Sequence, residues 1–460
     1  MDAYALYDRL PPRLQDAAAS VRGRQLARTR YGPETQRLVE EAHAREAWTA
    51  DEWETWRCAR LELVLHRART QVPWYRDHWD RRQRAGDRAS STDLANWPIL
   101  AKAEVRANPS AFVADDRPIR QLVADHTSGT TGTPLTLFFD RDGVRAWYAL
   151  FEARIRNWHG VDRTDEVGML GGQMVVPASR AKPPYWVVNR AMHQLYLSTH
   201  HLRTDRAAAY ATALRTHDTR YLLGYTSALV TLARAGADAG VSFAPVRVSI
   251  TNAEPCADAD RAVIEAAFGA PVRVTYGMAE VVAAAVECPH GTLHDFPEVG
   301  WLELDPASQP VAGEPDGTGD VLATGLVNDA MPLIRYQVGD RLTLPAPHSC
   351  PCGRRLPALA SVTGRTDDLL LAPDGRRIGR LDHVFKAELP VLEAQIVQET
   401  LHHIRVLVVP APGWGPEVAA EIADRTRTRI GDVEVTVETV ASIPRSATGK
   451  FRAVISHLPT

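Results

Sequence analysis

The chain has almost no net charge, few cysteines and no long apolar run, and each shortage closes off a class of protein. Its 460 residues carry 53 Lys and Arg against 56 Asp and Glu, a net charge of −3. No basic field therefore argues for nucleic acid, and no polybasic segment argues for an anionic membrane. No apolar run approaches the ~20 residues of a membrane-spanning helix. The first residues hold no signal-peptide core, which leads us to expect a cytoplasmic protein. Five cysteines in so long a chain make no disulfide framework, which leaves cytosolic thiols or metal ligands. There is no internal repeat and no low-complexity tract. What is present is ordinary for a globular protein, 45% hydrophobic and 24% charged, and long enough for two or more domains.

The most distinctive stretch is His126-Thr127-Ser128-Gly129-Thr130-Thr131-Gly132-Thr133-Pro134. Alternating segments flank it, Gln121–Asp125 and Leu135–Phe139, so it reads as a loop joining two strands. Glycines let backbone amides approach an anion and hydroxyls add donors, so such a loop can wrap a polyphosphate. It is not a Walker-type loop, because no Gly-Lys-Ser/Thr follows and the next element is a strand. A polar surface hairpin is the alternative on this stretch alone.

Around it, residues 1 to about 85 form a helical lead-in. In Thr49–Val72, Trp53, Trp56, Leu61, Leu63, Val64 and Leu65 recur at helical spacing as a core stripe, with Asp51 as the cap and Pro73 as the break. Trp97-Pro98-Ile99-Leu100 connects to a short helix beginning near Lys102. Asp142–His159 reads as an amphipathic helix ended by Gly160. Apolar runs at Val167–Leu170, Tyr221–Tyr225, Val246–Ile250 and Val272–Tyr276 then alternate with helices at Ser227–Ala235 and Ala257–Phe268, the pattern of α/β layers with parallel pairing. Trp301–Leu304, Asp320–Thr324 and Leu333–Tyr336 read as strands. A β-α-β pattern follows, with a strand at His403–Val409, a helix at Pro416–Ile430 and a strand at Val433–Val440. The fold class expected is thus α/β: a large N-terminal domain, residues 1–364, with sheets flanked by helices, and a small α+β C-terminal domain, residues 365–460.

Five segments in order resemble the motifs of the adenylate-forming superfamily, which contains acyl-CoA synthetases, luciferases and peptide-synthetase adenylation domains. They are Thr127–Pro134, Tyr276-Gly277-Met278-Ala279-Glu280, Tyr336-Gln337-Val338-Gly339-Asp340, Gly364-Arg365-Thr366-Asp367-Asp368 and Pro444-Arg445-Ser446-Ala447-Thr448-Gly449-Lys450. Leu10-Pro11, Val72-Pro73-Trp74-Tyr75 and a Cys-x-Cys-Gly resemble its branch of phenylacetate-CoA ligases and capsule-locus relatives. The resemblance implies an AMP-forming ligase that turns a carboxylic acid into an acyl-adenylate, releases pyrophosphate and passes the acyl group to an acceptor, coenzyme A being the usual one. It implies that Thr127, Ser128, Gly129, Thr130, Thr131 and Gly132 hold the ATP phosphates and that Glu280 holds Mg²⁺. It further implies that Tyr276 packs on adenine, that Gly277 and Met278 belong to the nucleotide site, that Asn252, Ala253 and Glu254 run along the adenine edge, and that Asp340 and Arg365 meet the ribose. Lys450, delivered by a mobile C-terminal domain, adds positive charge at the α-phosphate. Two departures stand out: Ala279 replaces the usual threonine, and Leu135 stands where many members have lysine.

The acid is expected near Gly171, Gly172, Tyr185, Trp186, Tyr225, Thr226 and Ser227, where two glycines leave room and aromatics suit an aryl group. Transfer to a carrier protein or an amine, activation of nitrite to diazotise an arylamine, and a non-enzymatic ATP sensor are the alternatives. Cys288-x₅-His294 and Cys350-Pro351-Cys352-Gly353 make a Cys₃His set suited to structural Zn²⁺, with His290 and His348 as substitute ligands. Scattered buried thiols are the other reading of the same residues, and Cys58 and Cys256 read as ordinary thiols. Dimers are common in the branch, so a homodimer is a further expectation.

Overall fold

The computed structural model describes residues 7, 10–126, 135–171, 175–177, 179–309, 311–312, 314–344, 350–365, 370–373, 377–378, 384–385, 389–444 and 451–458. β1 (Val123–His126) and β2 (Thr136–Phe139) pair antiparallel, with Val123 opposite Phe139 and His126 opposite Thr136. The glycine- and hydroxyl-rich segment therefore joins two adjacent strands, as its flanking alternation requires.

The main sheet comprises β3 (Val167–Leu170), β4 (Trp186–Asn189), β5 (Gln194–Leu197), β6 (Tyr221–Tyr225), β7 (Ser249–Asn252), β8 (Val272–Gly277), β9 (Ala284–Glu287) and β10 (Leu293–Asp295). Their order is β10-β9-β8-β7-β6-β3-β5-β4. The β3–β6, β6–β7 and β7–β8 pairs are parallel, as alternation with helices Thr226–Asp238 and Asp258–Phe268 demands. One face of the sheet buries Leu170, Leu195, Leu222 and Val272 against Leu229, Leu232, Ile264 and Phe268 of those helices. The strand expected at Val246–Ile250 begins three residues later, at Ser249.

The sheet ends at β4, and an exposed edge strand would template aggregation. The helix Pro12–Arg30 covers it. Val188 N–H donates to Asp16 Oδ1 at 2.8 Å and Arg190 N–H to Ser20 Oγ at 3.1 Å, so helix side chains satisfy ladder donors that have no further strand. Gly23 lets the helix close in, since a Cβ there would lie 2.1 Å from Asn189 Oδ1.

After the helix Thr35–Arg45, the helix Ala50–Gln71 is capped by a reciprocal box in which Thr49 and Glu52 bond each other's backbone N–H, rather than by Asp51. Trp53, Val64 and Leu65 are buried as expected, but Leu63 is 61% exposed. The break at Pro73 is brief, and a helix resumes there, Pro73–Arg84. The expected helix at Asp142–His159 is capped by Asp140 and runs as α-helix over Arg141–Leu150, as π-helix over Phe151–Arg156 and as 3₁₀ turn to Gly160, whose φ is +69°.

The chain divides into two compact units: Met1–Leu302 with Ala323–Tyr336 and Pro347–Leu359, and Glu303–Leu322 with Gln337–Ala346 and Ala360–Thr460. This differs from one boundary at 364/365, because two segments between 303 and 346 join the C-terminal unit. The second unit holds most of a four-stranded sheet of β11 (Gly300–Leu304), β13 (Thr318–Gly325), β14 (Tyr336–Thr343) and β15 (Ser361–Arg365), while the short β12 (Val311–Ala312), β16 (Leu370–Leu371) and β17 (Arg377–Ile378) form another. Leu333–Ile334, expected in a strand, precede β14. The last sheet has β18 (Val391–Thr400), β19 (His403–Pro410), β20 (Glu434–Thr439) and β21 (Val454–Ser456) in the order β20-β19-β18-β21. β19 and β20 are parallel, joined through helix Pro416–Ile430. No helix among the described residues is long and apolar enough to cross a membrane.

Candidate active site

Strand register lines up the expected residues along one edge of the main sheet. Leu170 lies opposite Gly224, Tyr225 opposite Asn252 and Thr251 opposite Val274. Gly171, Tyr225, Asn252 and Tyr276 therefore end adjacent parallel strands at their carboxyl side. The chain leaves β3 toward β5 and β4 and returns on its other side at β6, so a topological switch falls between Gly171 and Tyr225. Crevices at such switches are where open α/β sheets bind ligands. A Cβ on Gly171 would meet nothing within 4 Å.

Beyond β7 the backbone turns through Ala253, whose φ is +61°. That turn brings Glu254 onto the start of helix Thr226–Asp238, where its Oε2 accepts from Ser227 N–H at 2.8 Å and its Oε1 from Ser227 Oγ at 3.0 Å. An anion at a helix N-terminus is favourable, so this carboxylate caps the helix, and Thr226 Oγ1 donates to the Glu254 carbonyl at 3.5 Å. Asn252 Oδ1 is buried and has no partner among the described residues.

Glu280 is 4% exposed. Its Oε1 accepts from Lys102 Nζ at 2.8 Å and from the Tyr336 hydroxyl at 2.8 Å. The cause of this meeting is traceable. Tyr75, Trp79, Trp97 and Phe112 form a buried aromatic cluster, with Tyr75 and Trp97 centroids 5.3 Å apart and Tyr75 and Phe112 5.9 Å apart. The Tyr75 hydroxyl accepts from Ile334 N–H at 3.0 Å. Leu100 N–H donates to Arg335 carbonyl at 3.0 Å and Leu100 bridges Tyr336. The connector that carries Lys102 is thus fixed to the residue that precedes Tyr336. Nothing local in the sequence announces Lys102, whose partner is 178 residues away. A lone buried carboxylate with oxygen donors suits a hard divalent cation that keeps several ligands from a bound phosphate.

In the second unit, Asp340 pairs across β14–β15 with Arg365 in backbone register, just after Gly339 with φ +82°. In the first unit, Cys288, His294, Cys350 and Cys352 bring their ligand atoms within 4.8 Å of one another. Cys288 and Cys350 Sγ are 3.6 Å apart, and Cys352 Sγ is 3.4 Å from His294 Nε2. His294 Nδ1 donates to Leu356 carbonyl at 3.1 Å, which leaves Nε2 as the basic nitrogen facing the sulfurs. Gly291 and Gly353, with φ of +83° and +77°, make the two turns. Burial pushes the Cys288 thiol up to about 11. At Cys350 the same upward effect of burial is outweighed by hydrogen bonding with Thr292 and the Cys352 backbone, which holds its thiol below the ordinary value. Three sulfurs and one imidazole brought this close together suit a soft four-coordinate cation. The described set excludes His290, and His348 lies outside the described residues.

Residues 370–457 match the family model of the CapK C-terminal domain. The whole chain is similar to Protein CapK of Staphylococcus aureus, 23% identical over 98% of this chain and 99% of that protein. It is 28% identical to the phenylacetate-coenzyme A ligase of Aromatoleum evansii over 70% of this chain and 72% of that enzyme. These likenesses support the phenylacetate-CoA ligase-like branch of the adenylate-forming superfamily. In fold it resembles a crystal structure of 2-hydroxyisobutyryl-CoA ligase in the postadenylation state, with a TM-score of 0.67 at 21% identity over 90% of this chain and 91% of that one.

Of the expected site residues, Thr127, Ser128, Gly129, Thr130, Thr131, Gly132, Gly172 and Lys450 lie outside the described residues. Gly171, Tyr225, Thr226, Ser227, Asn252, Ala253, Glu254, Tyr276, Gly277 and Met278 gather at the carboxyl edge of the sheet. Tyr185 and Trp186 lie at the same edge, because β4 runs antiparallel to β5, but further along it. They begin β4, two strands beyond β3, and Tyr185 is 3% exposed. Its ring stacks on His201 at 4.9 Å and its hydroxyl donates to Ala181 carbonyl. In this structure Tyr185 is core packing rather than pocket wall.

Proposed function

We propose that this protein is an AMP-forming ligase that activates a carboxylic acid with ATP to an acyl-adenylate and transfers the acyl group to coenzyme A. The observation that carries the reading is the alignment of Gly171, Tyr225, Asn252 and Tyr276 along one carboxyl edge at the switch point of a parallel sheet. Carboxylate attack on the α-phosphate makes the mixed anhydride and expels pyrophosphate, and the thiol then displaces AMP. Tyr276 stacks on adenine while Asn252, with its unpartnered buried Oδ1, accepts from the base edge. Glu280 holds Mg²⁺, which neutralises phosphate charge when bound. The hydroxyls and amides of 127–132 hold the outer phosphates, Asp340 takes the ribose hydroxyls with Arg365 beside them, and Lys450 supplies charge at the α-phosphate. The acid lies beside Gly171 and Tyr225, and the phenylacetate named for several relatives supports an aryl acid. The Cys₃His cage holds a structural Zn²⁺ that ties the β9–β10 hairpin to residues 350–359.

ATP–pyrophosphate exchange over aryl acids, fatty acids, amino acids and nitrite tests this. Exchange with an aryl acid, followed by a thioester mass only when coenzyme A is present, is the expected result. Exchange with nitrite alone would replace the acid reading with diazotisation, and exchange with none would leave a nucleotide sensor.

A further inference from the structure

Glu280 carries its charge almost out of water, and a buried carboxylate needs a compensating cation. The described structure supplies one, the Lys102 ammonium, 2.8 Å from Oε1. The Tyr336 hydroxyl shares that oxygen, while Oε2 has no hydrogen-bond partner among the described residues. A divalent cation on this carboxylate would sit within roughly 5 Å of the ammonium, and two like charges that close, in a site of low polarity, repel strongly. Lysine is suited to yield. Its charge rides on a flexible stem, the side chain is 27% exposed, and its helix, Lys102–Ala107, starts at this residue, so the head can withdraw to solvent while the Cα stays pinned through Leu100.

We propose that Lys102 is a resident counter-cation of the Glu280 carboxylate, which it neutralises before nucleotide arrives and surrenders to Mg²⁺ when the metal–nucleotide complex binds. Lys102 is thus a positioning residue that sets the metal requirement of the site. The inference rests on the reading of Glu280 as the Mg²⁺ ligand.

The test measures binding of a fluorescent ATP analogue against Mg²⁺ concentration. For Lys102→Met the Mg²⁺ midpoint falls roughly threefold or more, the scale of a partly screened ion pair, whereas Lys102→Arg, which keeps the charge, stays near wild type. A merely structural lysine would leave the midpoint unmoved, and an unmoved or raised midpoint in Lys102→Met overturns the proposal. Wild-type protein that binds no analogue at saturating Mg²⁺ would instead bring down the adenylation reading itself, so the two failures are told apart. Thermal unfolding without metal or nucleotide supplies the second arm. Lys102→Met unfolds at lower temperature and Lys102→Met/Glu280→Gln recovers, because the stranded charge is gone. A double variant no more stable than Lys102→Met overturns the pairing even if the single variant fails to fold.

Discussion

Three side-chain-bearing residues hold φ in the left-handed region beside Glu254, Glu280 and Tyr336: Ala253 at +61°, Val281 at +51° and Arg335 at +47°. Such a backbone costs on the order of 1–3 kcal/mol per residue and persists only where surrounding contacts impose it. Val281 is the most demanding, because a β-branched side chain crowds this conformation. It follows Glu280, while Arg335 precedes Tyr336, and both flanking partners of the Glu280–Tyr336 hydrogen bond are therefore held by strained backbone. That concentration fits a carboxylate whose orientation matters more than local comfort. Glu280→Gln keeps the shape and a hydrogen-bonding oxygen but removes the charge. It is expected to lower pyrophosphate exchange by at least ~10²-fold, since a metal ligand supports several kcal/mol of transition-state charge stabilisation. Its fold should be retained, with Lys102 turning to solvent. A Glu280→Gln protein that exchanges at the wild-type rate and wild-type Mg²⁺ requirement would remove Glu280 from metal binding.

Elements explain both what the sequence disclosed and what it hid. The helix Pro12–Arg30 blunts β4 through Asp16 and Ser20. Asp16→Ala with Ser20→Ala strands two ladder donors, each deletion costing about 1–3 kcal/mol where the group stays buried. Denaturant unfolding should show that loss with exchange activity unchanged; no loss would mean that water serves the edge equally well. The parallel strands and their helices were legible because their periodicity is local, and helix Pro416–Ile430 begins and ends where its proline and glycine set it. Phe151–Arg156 was not legible. Helical spacing there predicts an outward charged face, yet Glu152, Arg154 and Arg156 are buried. Arg154 donates to both oxygens of Glu298 at 2.6 and 2.7 Å, and Arg156 bonds Glu152 and the Tyr221 hydroxyl. Glu152–Arg156 is a local i,i+4 pair, but Glu298 and Tyr221 are tertiary partners that no local pattern could reveal; the same holds for Lys102 and for Tyr185, whose aromatic character fits core and pocket equally. The cysteine spacing was legible as a ligand set because few other arrangements need Cys-x-Cys-Gly beside a second knuckle. Purified protein is expected to contain one zinc per chain, released on treatment with a thiol-modifying reagent, and Cys350→Ser should lose the metal and unfold at lower temperature. Metal analysis finding none in fresh protein would leave Cys288, His294, Cys350 and Cys352 as packed thiols and an imidazole.

At the scale of the whole molecule the reaction has two chemical halves, and they ask for different things. Forming the anhydride expels pyrophosphate while negative charge builds on the α-phosphate, so it needs added positive charge there. Displacing AMP needs a thiol brought to an acyl carbon that is already activated, and one ammonium at the phosphate contributes little to that step. Lys450 follows β20 in sequence, in the C-terminal unit whose match to the CapK C-terminal domain runs from 370 to 457. Its resemblance-derived role belongs to the first half only. Lys450→Ala should therefore reduce ATP–pyrophosphate exchange by about 10²–10³-fold, the usual scale for losing one transition-state charge contact. Thioester formation from chemically prepared acyl-adenylate and coenzyme A should stay within a few-fold of wild type. Loss of both halves together would mean that the substitution damages the C-terminal unit as a whole, which circular dichroism of the variant would reveal. Intact pyrophosphate release in a folded variant would mean that another cation meets the α-phosphate.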